Sequence, residues 1–252
     1  MAPGFWRMLA RQSRESTKMR LRPDQMLRFR DKAGLLREVA DLIVRTLARM
    51  PAPSFNITGG GTAAELYRLI AAEYAAEIDW PSLTITWGDE RFVPRGDPAH
   101  NATMARRELF DRVPVGDLRV HEIPTDLGTP EACAAAYEAT LQQIVRPGKP
   151  LFDLTLLSLG DDGHIASLLP GQPVLNEHDA WVAAVPQGRE EQRITLTYPA
   201  LRLSGRLLLI VSGEKKAKVL HDLLRGAEDY PASRLAIDGE LLLLADAAAL
   251  PE

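Results

Sequence analysis

The stretch LFDLTLLSLGDDGHIASLLPG, residues 151–171, decides the fold because it places a short apolar segment directly before a polar turn. Residues 152–159 are almost all apolar and too few for a typical helix, which predicts a central strand of a parallel sheet covered on both faces. The turn at 160–164 therefore lies at the carboxyl end of a strand. Open α/β sheets bind their ligands at that edge.

The turn carries two groups that can transfer a proton, Asp162 and His164. A carboxylate and an imidazole two residues apart can hold each other in orientation, as a general base requires. Alternatively, Asp161 or Asp162 caps a following helix and His164 is merely exposed. The spacing alone leaves both interpretations open.

Composition limits the class of protein. The chain has 252 residues, of which 46% are hydrophobic and 25% charged, close to the average for soluble globular proteins. The formal net charge of −4 provides no overall basic field, which argues against a nucleic-acid partner. The single cysteine, Cys133, can form no internal disulfide or cysteine-based metal cluster and suits a reducing cytosol, so we expect a cytoplasmic location. No apolar run approaches the roughly 20 residues of a membrane span.

The order of the segments predicts one α/β domain, Rossmann-like, with a mostly parallel sheet and helices on both faces. Residues 1–26 are basic at first and are predicted to be a poorly ordered tail, and 27–252 the domain. The residues around His121 are predicted to connect elements. The predicted helices are 32–49, 63–76, 103–110, 130–144 and 217–224. The predicted strands are 54–58, 83–87, 152–159, 181–185, 193–197, 207–211 and 241–244.

The glycine turn Gly59-Gly60-Gly61-Thr62 falls between a predicted strand and a predicted helix. Bare amides and the positive end of a helix bind phosphate in such turns. The segment also satisfies the loose dinucleotide pattern G-x-G-x-x-A, with a ribose-binding acid near Asp89, or it could be a purely structural turn. No Lys-Ser or Lys-Thr pair follows the glycines, so it is not a Walker A motif.

Two cations follow other strands. The Arg91 guanidinium could grip a phosphate through two parallel hydrogen bonds, or form a surface ion pair with Asp89 or Glu90. Lys216 lies near a predicted helix start, where a cation opposes the helix dipole unless an anion is present; otherwise it is a solvated lysine. Together, 59–62, 89–91, 162–164 and 213–216 are predicted to be strand-to-helix junctions around one pocket.

Several ordered motifs, taken together, resemble one family. They are ITGGGTAAELY, TWGDERFVP followed by HNATMA, LSLGDDGHIASLLPG, RITLTYPAL, SGEKKAKVL and PASRL. The chain is similar over about 27–245 to 6-phosphogluconolactonases, whose superfamily includes glucosamine-6-phosphate isomerases. The resemblance implies hydrolysis of 6-phospho-D-glucono-1,5-lactone to 6-phosphogluconate in the oxidative pentose phosphate pathway, with no metal and no nucleotide cofactor. We expect a monomer or a weak homo-oligomer.

The resemblance also implies roles for individual residues. His164 matches the histidine that activates water, and Asp162 its neighbouring acid. The positions expected to bind the substrate phosphate are Gly60, Gly61, Thr62, Arg91, Lys216 and, as an addition, Arg193.

The chain departs from the family pattern in three places. Residues 59–63 read GGGTA instead of GGSTP, which removes a hydroxyl and a proline. Ser158 replaces a glycine before the turn, and His100 replaces the serine that commonly precedes Asn101. The lost hydroxyl bears on phosphate affinity more than on chemistry, because backbone amides and Thr62 remain.

Two other functions remain in view. In the isomerases a glutamate follows the histidine by five residues, and here that position is Leu169, which can neither give nor take a proton. Lactone hydrolysis needs no such partner. A non-catalytic sugar-phosphate sensor would keep Arg91 and Lys216 without needing His164, but such sensors usually carry a DNA-binding segment, for which the first twenty residues are too short.

Overall fold

The structure, a computed structural model, describes residues 26–187 and 189–250. The predicted tail lies outside the described residues except for Met26, which begins the first strand, one residue before the predicted start of the domain. The domain boundary itself stays a prediction.

The strands form two sheets. In chain order they are β1 Met26–Phe29, β2 Ser54–Ile57, β3 Thr84–Trp87, β4 Asp89–Arg91, β5 Arg119–His121, β6 Leu154–Ser158, β7 Val182–Val185, β8 Arg193–Leu196, β9 Arg206–Val211 and β10 Glu240–Asp246. Seven strands form a sheet in the order β1-β10-β9-β6-β2-β3-β5, and every neighbouring pair in it is parallel. A smaller antiparallel sheet has the order β4-β8-β7.

Helices flank the large sheet, as predicted. They are α1 Lys32–Leu47, α2 Gly61–Leu69, α3 Asn101–Glu108, α4 Pro130–Ile144, α5 Tyr198–Arg202 and α6 Ala217–Leu224. Local chemistry explains their starts: the Asp31 side chain accepts the Gly34 amide before α1, and Thr129 caps α4, whose first residue is a proline.

Strand β6, predicted from the apolar run at 152–159, lies at the centre of the large sheet. Leu154, Leu156 and Leu157 are fully buried, as expected for a parallel strand covered on both faces. The chain builds the sheet outward from β2 through β3 to β5, and then returns to the other side of β2 with β6. The carboxyl ends of β2 and β6 therefore flank the topological switch point, where α/β sheets form a crevice.

Several local predictions were wrong. His121 lies on the edge strand β5, not on a connecting segment. Residues 89–91 form the short strand β4 of the second sheet. The helix predicted over 63–76 begins at Gly61 and is helical in the ordinary sense only to Leu69, after which a π turn, Ile70–Tyr74, follows. Of the four predicted strand-to-helix junctions, only those before α2 and α6 lead from a strand into helical turns.

None of the helices in the described part of the chain has both the length and the apolar character that a membrane crossing needs.

Candidate active site

The turn after β6 is fixed by main-chain hydrogen bonds. The Gly160 amide donates to the His164 carbonyl at 2.8 Å, and the Gly163 amide donates to the Gly160 carbonyl at 3.2 Å. Gly163 has a φ of +79°, which favours glycine, and its carbonyl accepts the Ala232 amide at 3.0 Å. The turn is therefore tied both to itself and to the segment near the C-terminus.

Two glycines of this turn leave room for side chains. A Cβ on Gly160 would lie 2.0 Å from Nδ1 of His164, so the imidazole ring packs directly over the Gly160 main chain. A Cβ on Gly163 would lie 2.5 Å from Cδ1 of Tyr230. The position of the His164 ring thus depends on a glycine at 160.

Asp162 and His164 contact each other directly. Oδ1 of Asp162 lies 2.5 Å from Nδ1 of His164 and also accepts the His164 amide at 3.1 Å. Its other oxygen, Oδ2, accepts Nη2 of Arg189 at 2.7 Å. Burial alone would raise the pKa of the Asp162 carboxyl, but the hydrogen bonds from His164 and the charge of Arg189 outweigh it and hold the pKa below its ordinary range.

The alternative in which Asp161 or Asp162 caps a helix is wrong. The next helical turn in the described residues after the loop is a short 3-10 segment, Pro173–Asn176, which follows Gln172. Oδ1 of Asp162 instead faces Nδ1 of His164, and because an ionised carboxylate can only accept, this contact in a neutral ring places the proton on Nδ1 and leaves Nε2 as the acceptor.

Arg91 and Arg193 face each other across the small sheet. They are directly paired in the antiparallel β4–β8 register, where like charges destabilise a sheet unless an anion compensates them. Nη1 of Arg91 donates to the Ala99 carbonyl at 2.6 Å, and Nη2 of Arg193 lies 3.3 Å from Oε2 of Glu191. The Nε atoms of both arginines are buried without a hydrogen-bond partner. Burial, followed by the charge of Arg91, lowers the pKa of Arg193.

The neighbouring acids do not neutralise Arg91, so the ion-pair alternative is wrong. Asp89 is buried and accepts the Ser167 hydroxyl at 2.6 Å. The Glu90 carboxylate accepts main-chain amides, from Arg91 at 2.8 Å, Asn101 at 2.6 Å and Ala102 at 2.9 Å. In the described part of the chain, no carboxylate lies within ion-pair distance of the Arg91 guanidinium.

Glu90 is a buried acid behind Arg91. Burial raises its pKa to about 7, although the three amide hydrogen bonds favour the ionised form. Its Oε2 lies 3.2 Å from Nδ1 of His100, the residue that caps α3. Burial lowers the pKa of His100.

The glycine turn at 59–62 and Lys216 are the remaining predicted site residues at the carboxyl-end edge of the large sheet. Gly60 precedes α2 with a φ of +97°, and a Cβ on either Gly60 or Gly61 would meet nothing within 4 Å, so there is open space beside this turn. Thr62 is half-buried in the first turn of α2. Lys216 lies at the start of α6 with its pKa lowered by burial. It is close enough to Asp162 and Arg189 to respond to their charges.

The structure thus brings the predicted residues to one sheet edge, and within them two pairs stand out, one joined by a side-chain contact and one by strand pairing. Asp162 and His164 form the first pair, and Arg91 and Arg193 the second. The predicted residues did not include Arg189, which lies between the predicted strands 181–185 and 193–197. No local pattern marks it, because its contact with Asp162 spans 27 residues of sequence.

The described residues hold no group of three or more His, Cys, Asp or Glu side chains placed to bind a metal ion. The dinucleotide alternative requires Asp89 to bind a ribose. The Asp89 carboxylate is buried, however, and already accepts a hydrogen bond from the Ser167 hydroxyl.

The described chain is an α/β protein with a histidine–aspartate pair and an arginine pair at one sheet edge. Residues 30–243 match the family model for glucosamine-6-phosphate isomerases/6-phosphogluconolactonase. The chain belongs to this family. A 6-phosphogluconolactonase of Nostoc sp. is 34% identical over 233 residues, covering 90% of this chain and 94% of the relative. One of Streptomyces coelicolor is 36% identical over 242 residues, covering 89% and 93%.

Solved structures confirm the fold. A 6-phosphogluconolactonase from Thermotoga maritima superposes with a TM-score of 0.77 at 24% identity, covering 88% of this chain and 98% of its own. A monomeric glucosamine-6-phosphate deaminase gives a TM-score of 0.78 at 22% identity, covering 89% and 98%. Since both activities occur on this fold, the fold alone does not choose between them.

Proposed function

We propose that the protein is an enzyme that hydrolyses 6-phospho-D-glucono-1,5-lactone to 6-phosphogluconate, the lactonase step of the oxidative pentose phosphate pathway. Curated 6-phosphogluconolactonases align with nearly the whole chain. The observation that carries the proposal is the 2.5 Å contact between Asp162 and His164 on a turn at the ligand-binding edge.

In the proposed reaction His164 is the general base. With its Nδ1 proton directed to Asp162, Nε2 takes a proton from water, and the oxygen of that water bonds to the lactone carbonyl carbon. The tetrahedral intermediate collapses by breaking the bond to the ring oxygen, which receives the proton back from His164. The product carries a new hydroxyl and a new carboxylic acid, which releases its remaining proton to solvent to become the carboxylate.

The phosphate is proposed to serve as the handle that positions the lactone ring. Arg91 and Arg193 have buried Nε atoms that lack an acceptor, and a phosphate supplies acceptors together with the compensating charge. Lys216, the Thr62 hydroxyl and the main-chain amides of Gly60 and Gly61 complete the proposed set. Binding energy at the phosphate then orients the distant carbonyl toward His164.

A second activity on this fold, deamination of glucosamine 6-phosphate, is disfavoured by one residue. Leu169 occupies the position at which the isomerases are expected to carry a glutamate, and it is 2% exposed within the hydrophobic core. A buried leucine cannot assist His164 in opening a sugar ring.

The test is an assay with freshly generated lactone, corrected for spontaneous hydrolysis, in parallel with ammonia release from glucosamine 6-phosphate. We expect lactone hydrolysis well above the spontaneous rate and no ammonia. Failure to accelerate hydrolysis would overturn the proposal, and ammonia release that disappears in His164→Ala would favour the deaminase.

The cellular location and the oligomeric state of the protein are proposed in the same way. The single cysteine, Cys133, is buried and unpaired, consistent with the expected cytoplasmic location. A monomer or weak homo-oligomer is expected, and light scattering of the purified protein at several concentrations would test it.

A further inference from the structure

Arg189 links the small sheet to the turn that carries the histidine. It lies in the loop between β7 and β8, whose last paired residues are Val185 and Arg193. Its Nη2 donates to Oδ2 of Asp162 at 2.7 Å and lies 3.4 Å from Nδ1 of His164. A loop residue between two strands of the small sheet therefore completes the hydrogen bonding of a carboxylate in the turn that follows β6 of the large sheet.

The ion pair between Arg189 and Asp162 contributes little to the stability of the folded protein. The side chains of Arg189 and Asp162 are 38% and 36% exposed, and ion pairs at such positions stabilise folded proteins only weakly. Arg202 and Asp238 form a comparable pair at 2.8 Å, with 40% and 54% exposure, elsewhere on the surface. The two pairs differ in one respect, which is that Asp162 also holds the His164 ring.

The geometry indicates what Arg189 does for that ring. Oδ1 of Asp162 accepts both the ring and the main-chain N–H of His164, while Oδ2 is held by Arg189. With both oxygens engaged, the carboxylate cannot rotate about its terminal bond without breaking a hydrogen bond. Arg189 cannot donate to Nδ1 of His164 while that atom carries the proton directed to Asp162, so its action on the ring passes through the carboxylate.

We propose that Arg189 is a positioning residue for the Asp162–His164 pair. It orients the carboxylate, and it shares the carboxylate's negative charge, so that the imidazolium formed during the reaction is not held too tightly to return its proton. The inference rests on the proposed function, in which His164 is the general base. Asp161 and Lys216 lie within electrostatic reach of the same groups, and both are left unchanged in the tests.

The kinetic test compares Arg189→Gln with Arg202→Gln. The second variant is the control, because it removes the comparable ion pair between Arg202 and Asp238, which lies elsewhere on the surface. We expect Arg189→Gln to lower kcat on the lactone about tenfold with KM within twofold of wild type, and Arg202→Gln to change neither. Arg189→Lys, which keeps the charge but not the planar guanidinium, should recover part of the loss. A raised KM with unchanged kcat would instead make Arg189 a substrate ligand, and unchanged kinetics would reduce it to a surface ion pair.

A double-mutant cycle tests whether the effect passes through Asp162. In an Asp162→Asn background, Arg189→Gln should cause no further loss of kcat, because the charge it acts on is already gone. Additive losses would contradict the proposed route.

A readout independent of activity separates this inference from the proposed function. The titration of the His164 ring can be followed by NMR, with the resonance assigned by its absence in His164→Gln. In Arg189→Gln a positive charge near the His164 ring is lost, so the midpoint of the ring's titration should move to higher pH. In Arg202→Gln the midpoint should not change. If the wild type fails to hydrolyse the lactone, the proposed function falls, and the titration still decides the inference. Equal midpoints in wild type and Arg189→Gln would overturn it.

Discussion

The two ends of the candidate site differ in how completely their polar groups are paired. At the base end, around Asp162 and His164, both carboxylate oxygens and the Nδ1 atom of the ring have partners. At the anion end, Arg91 and Arg193 lie opposite each other with buried Nε atoms that have none. Buried polar groups in proteins are nearly always satisfied. The difference therefore indicates that the base end is organised in advance, whereas the anion end awaits acceptors that a ligand brings.

The base end gives the largest expected effect. His164→Gln should lower kcat about 10²- to 10⁴-fold, the usual range for losing a general base, and leave KM nearly unchanged. The control is His221→Gln, because Nδ1 of His221 also contacts a carboxylate, that of Asp222 at 3.4 Å, but the residue lies on α6 and not on the turn. Steady-state kinetics on the lactone check the prediction. A near-native kcat in His164→Gln would show that this histidine is not the base.

Behind the anion end, Glu90 should make stability depend on pH. Burial raises its pKa to about 7 from an unfolded-state value of about 4.5. Between these values the folded protein binds the proton more tightly than the unfolded chain, so stability is full below about pH 4.5 and is lost as pH rises toward 7. The loss from this one group is at most about 3 kcal/mol.

Denaturant unfolding at pH 5 and pH 7.5 measures this contribution. In Glu90→Gln the decline should disappear, because the amide does not titrate; its single oxygen can still accept the Arg91 and Asn101 amides, while the Ala102 amide loses its acceptor. His100 and His121 have lowered pKa values and act in the opposite direction, which is why the comparison is made between the variant and wild type. Equal pH dependence in both proteins would contradict the assignment of a neutral buried acid.

The fold and the base end could be read from the sequence more fully than the anion end. Alanine content and a first-turn proline predicted α4, the turn after a buried strand predicted α6, both with the bounds that the structure shows, and the apolar run predicted β6. Strand β1 was missed because two of its four residues are exposed and it carries little pattern. The pairing of Arg91 with Arg193 depends on the register of strands about a hundred residues apart, and no local spacing encodes it.

Removing one arginine at the anion end should weaken substrate binding. Arg91→Ala is expected to raise KM about 10- to 100-fold, because charge-assisted hydrogen bonds to a partly buried phosphate contribute about 1.5–3 kcal/mol. Arg193→Ala should act in the same direction and, by removing like charge, leave the free protein no less stable. Arg119→Ala is the control, since Arg119 lies on edge strand β5 and also donates to neutral partners.

Inorganic phosphate offers a second measurement at the same end. It should raise the melting temperature of the wild type and of Arg119→Ala, and raise that of Arg91→Ala much less, because a ligand stabilises only the state that binds it. Unchanged KM in both Arg91→Ala and Arg193→Ala would remove the anion end from the proposal.

The smallest effect tests how strictly the base end is organised. A Cβ on Gly160 would fall 2.0 Å from Nδ1 and 2.2 Å from Cε1 of His164, so Gly160→Ala forces the ring to move. Gly160 is not among the residues with positive φ, so alanine does not strain the main chain, and the fold should persist. The ring is held by Asp162 and cannot shift freely, so we expect kcat to fall about tenfold with KM unchanged. Gly34→Ala in α1 is the control, because its Cβ would meet only Oδ1 of Asp31, at an ordinary 3.4 Å. If Gly160→Ala retained full kcat, His164 would work from a ring position other than the one hydrogen-bonded to Asp162, and the contrast between a fixed base end and an open anion end would no longer hold.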